Sequence, residues 1–266
     1  MSWTQATWNP FVGCSIHTAG CTNCYAMAIA HRLEGFGQAS YQGTARLVNG
    51  KPVWTGRVNR ATDATMRKPF TIREPSLVFV NSMSDFWHPA AEDSWRLEAL
   101  AVMSSTPHQY QVLTKRPEEI APFLERTGAQ LPANFWAGVT VERADFKHRI
   151  DTLRAVPANI RFLSLEPLLG ALPDLSLKGI HWVIAGGESG SGARPMAADW
   201  VRNIRDQCVA QRVAFYMKQY GIPSNNPLYS QGGAAAVARL DPGEKGGSLI
   251  DGRHWHEWPD FNPRSC

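Results

Sequence analysis

Residues 77–85 read LVFVNSMSD: four apolar residues, then a turn of small polar side chains that ends on a carboxylate. A short apolar run bounded by turn residues reads as a strand buried on both faces, and the switch to polar residues marks its end. The same unit recurs downstream. Apolar, β-branched or aromatic runs appear at 109–114 (QYQVLT), 135–141 (FWAGVTV), 160–165 (IRFLSL), 181–185 (HWVIA) and 213–217 (VAFYM), and amphipathic stretches occupy 92–105, 117–126, 143–155 and 197–211. Strands alternating with helices predict an α/β fold of parallel strands, because parallel neighbours need a long crossover. The strand ends would then share one face, in a (β/α) barrel or at the crevice of a doubly wound sheet. Those ends read NSMSDFW, TKRP, TVER, SLEPLL, GGESGSGARP and KQYG; three carry a carboxylate beside the strand end, Asp85, Glu142 and Glu166, and GGESG holds Glu188 as well. An assembled site explains the series, and ordinary polar loops are the plainer account of any single member.

The chain has 266 residues, 44% hydrophobic and 19% charged, with a net charge of +4. That length suits one large domain or two small ones. No run reaches the eighteen or so apolar residues a membrane span requires, and MSWTQATWNP has neither the basic start nor the apolar stretch of a secretory signal, so the expectation is a cytoplasmic protein without membrane association. The mild basicity is compatible with a polyanionic partner.

Upstream, residues 13–25 read GCSIHTAGCTNCY and bring Cys14, Cys21 and Cys24 together; the other cysteines are Cys208 and Cys266. Clustered thiols in a reducing compartment hold metals or do redox chemistry more often than they form disulfides. Three local thiols would bind a four-iron cluster with one iron left open, or a structural zinc completed by His17 or His31, or would remain unligated in the core. Ala26, Ile29, Ala30 and Leu33 follow at helical spacing, with Thr22 or Asn23 as cap and Gly35 as stop, so Cys24 is expected in the first turn. Residues 35–76 read as an irregular insertion with short strands or a helix. Cys208 recurs with Trp200 and Ile204 every four residues, on a buried helical stripe, and Cys266 ends the chain as a free thiol. The segment 221–252 reads as a mobile loop or cover, and DGRHWHEWPDF supplies tryptophans that would pin the C-terminus back.

NPFVGCSIHTAGCTNCYA resembles the cluster loop of radical S-adenosylmethionine enzymes, especially their spore photoproduct lyase-like branch. The likeness is closer still to a phage- and mobile-element-associated family of radical-SAM-like proteins of unknown function. There WNPxxGC, GCxNCYA, FVNSMSD, LTKRP, EPLLG, GGESG, ARPM and KQxG occur in this order, and here they run from Trp8 to Gly221, with DGRxW near the end. The spacing C-x6-C-x2-C differs from the usual C-x3-C-x2-C by three residues.

The resemblance implies a partial (β/α)6-type barrel over residues 1–221, with the insertion at 35–76 and a loop-rich extension, 222–266, packed on it. It implies that Cys14, Cys21 and Cys24 ligate a 4Fe-4S cluster whose open iron chelates S-adenosylmethionine, that an electron donor reduces it, and that a 5′-deoxyadenosyl radical abstracts hydrogen from a substrate. Tyr25 matches an aromatic beside the cofactor, or is a residue of the helix start. Ser82, Ser84 and Asp85 would receive the methionine ammonium, and Lys115 would pair with a carboxylate. Arg116 would face substrate or solvent. Thr140 and Glu142 would contact ribose or sulfonium, and Glu166 the ribose hydroxyls. Gly186 and Gly187 would admit a planar base beside Glu188, a tight turn being the rival. Lys218 and Gln219 would line the same mouth.

The substrate side is carried by a local excess of cations. Between 57 and 73 stand Arg57, Arg60, Arg67, Lys68 and Arg73 against the single acid Asp63, near Trp54, a pattern that tracks phosphates while an aromatic stacks on a base, or a solvated basic surface. The leading expectation is a radical enzyme modifying or repairing a nucleic acid or nucleotide. Its rivals are a cluster- or zinc-stabilised nucleic-acid-binding protein without radical turnover, and a scaffold for a partner protein encoded nearby.

Overall fold

Parallel strands joined through helices carry the chain, as the alternation of apolar and amphipathic runs requires. The computed structural model describes residues 3–190 and 192–260. They fall into two units: the chain up to Val139 with Ala155–Asn159, and Thr140–Arg154 with the chain from Ile160 onward.

The first unit holds β1 (Ala6–Trp8), β2 (Phe11–Val12), α1 (Tyr25–Gly35), β3 (Ala45–Val48), β4 (Lys51–Trp54), β5 (Asn59–Arg60), α2 (Asp63–Met66), β6 (Leu77–Val80), α3 (Asp93–Ser104), β7 (Gln109–Thr114), α4 (Ile120–Thr127) and most of β8 (Phe135–Thr140). Strand β1 lies parallel to β6, β6 to β7 and β7 to β8. Three residues are too few to show a period, so β1 had no signal in the sequence; β6 supplies its hydrogen-bonding partner. The insertion forms the antiparallel β3–β4 hairpin, turning at Asn49 and Gly50, both at positive φ, as the Asn-Gly pair favours. Below the end of β6, Phe11, Phe86, Trp87, Phe123 and Phe135 are all at most 1% exposed, with ring centroids 5.1–6.4 Å apart in successive pairs. Each such side chain contributes about 1.5–3 kcal/mol by burial. Together they hold the loop after β6 against the core.

The second unit holds α5 (His148–Arg154), β9 (Ile160–Leu165), β10 (Trp182–Gly186), α6 (Ala198–Gln211), β11 (Ala214–Gln219), α7 (Gly233–Leu240) and the antiparallel pair β12 (Leu249–Ile250) and β13 (Arg253–His254). Strand β10 lies parallel to both β9 and β11. Chain 221–252, expected as a mobile loop or cover, contains α7, GAAAVARL, with Ala236 and Val237 buried; three consecutive alanines favour a helix despite the flanking glycines. The C-terminal aromatics pack as expected: Trp255 O accepts from Met217 N at 2.7 Å, Glu257 N donates to Phe215 O at 3.0 Å, and Trp258 stacks on Trp182 at 4.9 Å. Cys208 is fully buried on α6, and Cys266 lies outside the described residues. Among the described residues no helix is long and apolar enough to cross a membrane.

Candidate functional site

Gly13 fixes where the cysteine loop starts. Its φ is +99°, its N–H donates to Met83 O at 2.9 Å, its carbonyl accepts from Ser84 Oγ at 2.6 Å, and a Cβ there would stand 2.1 Å from the Arg57 carbonyl. Only glycine tolerates that combination. Cys14 is thereby set beside the loop that follows β6. Between Cys14 and Cys24 the chain makes a 3-10 turn, Ala19–Cys21. Cys24, not Thr22 or Asn23, is the N-cap of α1. Its thiol makes no capping bond of ordinary geometry, yet the Ala26 and Met27 amides still favour its thiolate.

Besides burial, Cys21 raises both of the other thiols. Burial, then the Asp85 carboxylate and Cys21, push the Cys14 thiol up to about 12, opposed by the Arg116 guanidinium. Burial also raises Cys24, with Cys21 adding to it and Lys115 pulling it back. Desolvation penalises each thiolate until a cation shares its charge. Cys14 and Cys24 pack against the cluster of Val12, Ala26, Met27, Ala30, Tyr41, Ala45, Trp54 and Met83. Among the described residues no group of three His, Cys, Asp or Glu side chains is arranged to hold a metal ion.

Asp85 anchors the wall of this loop. It is 6% exposed and accepts from Thr114 Oγ1 (2.7 Å), Trp87 N (3.0 Å), Lys115 N (3.1 Å) and Arg116 Nη1 (3.0 Å). These four donors occupy its acceptor capacity, which leaves it as a clamp on the β7 end rather than a free ammonium receptor. Arg116 is corrected from a substrate- or solvent-facing cation: it is buried, because Asp85 needs a counter-charge, and its Nη2 reaches Ser15 Oγ at 3.0 Å. Lys115 is half-buried, and its ammonium has no hydrogen-bond or ion-pair partner among the described residues. Ser82 Oγ donates to Asn9 Oδ1 at 3.2 Å, and Tyr25, 57% exposed, donates to Ser82 O at 3.4 Å.

His88 and Ser15 belong to this network and carried no motif signal beyond their proximity to Asp85 and Cys14. Nδ1 of the buried His88 accepts from Ala90 N at 3.1 Å, so its proton sits on Nε2, which donates to Ser15 Oγ at 2.9 Å. Ser15 thus accepts from both His88 and Arg116 and keeps its own proton to donate. A Ser–His nucleophile needs the opposite tautomer, so this pair is a scaffold. Burial and Arg116 push His88 down to about 4. Arg96, buried as well, donates to the carbonyls of Phe86, His88 and Ala91 and fixes the loop from below.

In the second unit the expected contacts are committed elsewhere. Glu142, 0% exposed, pairs with Arg149 at 3.1 Å, and the same guanidinium donates to Thr140 O at 2.8 Å; Thr140 is buried too. Both were expected to face a cofactor, and the buried carboxylate's need for a counter-ion draws them inward. Glu166 pairs with Lys218 at 2.7 Å and accepts from Ser164 Oγ at 3.2 Å. Glu188 takes the Arg194 backbone N–H at 3.0 Å and its guanidinium at 2.6 and 2.8 Å. Space beside Gly187 is filled by the chain itself, a Cβ standing 2.1 Å from Tyr220 O, so this glycine serves close backbone packing rather than a planar base. At Gly186 the nearest atom to a Cβ is Glu166 Oε1, at 2.8 Å. Gln219 is buried, its Nε2 donating to Gly187 O at 3.3 Å.

The basic stretch divides. Arg57, Arg67, Lys68 and Arg73 are exposed. Arg60 is spent on Glu98 and Asp63, each at 2.7 Å, whose hydrogen bonds raise its pKa. Trp54, at 7% exposure, lies in the core and has no face free to stack on a base. A search of curated proteins and a search of solved structures each found no match. One family model, described as "Protein of unknown function (DUF5131)", matches residues 1–259, and the chain therefore belongs to that family.

Proposed function

We propose that this protein is an iron–sulfur-dependent enzyme of the radical S-adenosylmethionine type, with its strands in a partial barrel, acting on a nucleic acid or nucleotide. The observation that carries the reading is one short loop that holds Cys14, Cys21 and Cys24, with Cys14 and Cys24 packed against the same apolar cluster, beside the buried Asp85–Arg116 pair and a Lys115 ammonium that has no partner among the described residues. The order of motifs from Trp8 to Gly221 supports it. The donor set fits a 4Fe-4S cluster in type and number: cluster thiolates bind different irons, so they need not converge on one point as the ligands of a single zinc must. Bound there with S-adenosylmethionine, such a cluster supplies one-electron cleavage of a sulfonium, and with it hydrogen abstraction.

The chain's own part is electrostatic and positional. Arg116 and Lys115 offset the charge of the thiolates of Cys14 and Cys24. Ser15, held by His88 and Arg116, fixes the backbone next to Cys14 and keeps a hydroxyl proton to donate. Partial burial of the thiols limits access of water. Anaerobically reconstituted, reduced protein should convert S-adenosylmethionine to 5′-deoxyadenosine and methionine. Alanine at Cys14, Cys21 or Cys24 should abolish the brown absorption, while Cys208→Ala retains it. Retention in all three single variants refutes the ligand assignment; a loaded protein that leaves the cofactor intact favours a nucleic-acid binder without radical turnover.

A further inference from the structure

The first unit contains a cavity of about 340 Å³ that none of the thiols lines, walled by Thr7, Asn9, Ser40, Tyr41, Thr62 and Lys68 among others. We propose that it binds a phosphate-bearing nucleotide unit. Its volume falls in the range of small-ligand sites, roughly 300–1,000 Å³. No carboxylate lines it among the described residues, and its single charged group is the Lys68 ammonium.

The wall is rich in unspent donors. Asn9 Oδ1 accepts from Ser82 Oγ and Met83 N at 3.2 and 3.1 Å, which orients the amide and leaves its NH₂ without a partner among the described residues. The hydroxyls of Thr7 and Ser40 likewise make no hydrogen bond there. Lys68 Nζ has only a long 3.4 Å contact, to Thr7 O. Neutral donors around one flexible cation suit a phosphate, which takes several hydrogen bonds and a point charge. A cationic ligand would meet Lys68 with nothing to offset it. Next to Lys68 in the chain, Arg67 holds its guanidinium 5.6 Å from the ring centroid of the half-exposed Phe70, a further cation and aromatic in the same segment. Through Asn9 the cavity touches Ser82, at the end of β6, so an occupant would sit one residue's thickness from the cysteine-loop scaffold.

This inference goes beyond the radical-enzyme reading and stands without it. The test accordingly uses the full chain with neither reductant nor S-adenosylmethionine. Calorimetric titrations with thymidine, thymidine 5′-monophosphate and pentathymidylate should show at least one phosphate-bearing probe binding about tenfold or more tightly than thymidine. Binding of the monophosphate identifies a free nucleotide as a sufficient source, and binding of pentathymidylate alone identifies a strand. Lys68→Ala should weaken the bound probe about tenfold and lower its salt slope by about one, while Arg73→Ala, outside the cavity, should leave it within about twofold. Ser40→Leu, which fills the cavity, should abolish binding with the thermal melt retained. Thymidine binding as well as its monophosphate, equal losses in Lys68→Ala and Arg73→Ala, or undiminished binding in Ser40→Leu would overturn the assignment, as would no binding of any probe.

Discussion

The two units treat the carboxylates near their strand ends differently. In the second, Glu142 takes Arg149, Glu166 takes Lys218 and Glu188 takes Arg194, at 3.1, 2.7 and 2.6 Å, both members of each pair lying in that unit. In the first, Asp85 takes Arg116 at 3.0 Å, but that guanidinium continues to Ser15 in the cysteine loop, and the adjacent Lys115 ammonium has no partner among the described residues. A closed pair has spent its charge on folding. An open one retains capacity to act on something else. Polar strand ends are therefore unequal evidence for a site, and the cysteine loop carries more of it than the three pairs of the second unit.

The largest expected effects test that contrast directly. Asp85→Asn and Glu142→Gln each leave a buried guanidinium without its anion, and each should cost about 3–5 kcal/mol in urea unfolding of the metal-free protein. Only Asp85→Asn should also lower iron loading in reconstitution; an equal loss in Glu142→Gln breaks the comparison.

Next in size is a pH effect confined to the first unit. His88 is held down at about 4 against an ordinary 6.5 by burial and by Arg116. A depressed pKa means that the unfolded chain binds the proton first. Its contribution is therefore full above about 6.5 and is lost as the pH falls toward 4, roughly 3 kcal/mol in all. Urea midpoints of the metal-free protein at pH 7 and 4.5 should fall further in the parent than in His88→Gln. Identical falls would show that His88 is not held neutral.

The smallest stability effect is the most discriminating. Lys115→Ala should change stability by no more than about 0.5 kcal/mol, whereas Lys218→Ala, which strands Glu166, should cost about 1–3 kcal/mol. Lys115→Ala should nevertheless raise the Cys24 pKa further, since Lys115 is one of the groups that pull it down. Alkylation rate against pH, mapped to Cys24 by mass spectrometry, should move to higher pH in Lys115→Ala and stay in place in Lys218→Ala.

Much of the framework was legible. The apolar runs from Leu77 to Met217 each overlap an observed strand, with ends that differ by at most two residues, because a buried parallel strand must be apolar on both faces. Strand β1 was not legible, since ATW holds no period, and α7 was hidden because glycine and proline around it outweighed its alanines. At the site, the thiols and Asp85, Glu142, Glu166 and Glu188 stood out as residue types. Their partners did not: Arg116 is the neighbour of a strand-end lysine in sequence yet buries itself on a carboxylate 31 positions away. Gly187 was legible as a close-approach glycine, but what approaches it is the Tyr220 carbonyl. Ser15 and His88, 73 positions apart, form a pair that no local pattern announces.

The amino-acid order alone determined the α/β class, the direction of the strands and the gathering of three thiols ahead of them, because periods of 2 and 3.6 and short loop spacings are properties of neighbouring residues. The tertiary structure alone decided which charges are spent and which stay available: Arg116, Arg149, Lys218 and Arg194 neutralise carboxylates, while Lys115 and the donors around Lys68 do not. Charge pairing follows distance through space and the cost of desolvation, and neither is written in the spacing along the chain.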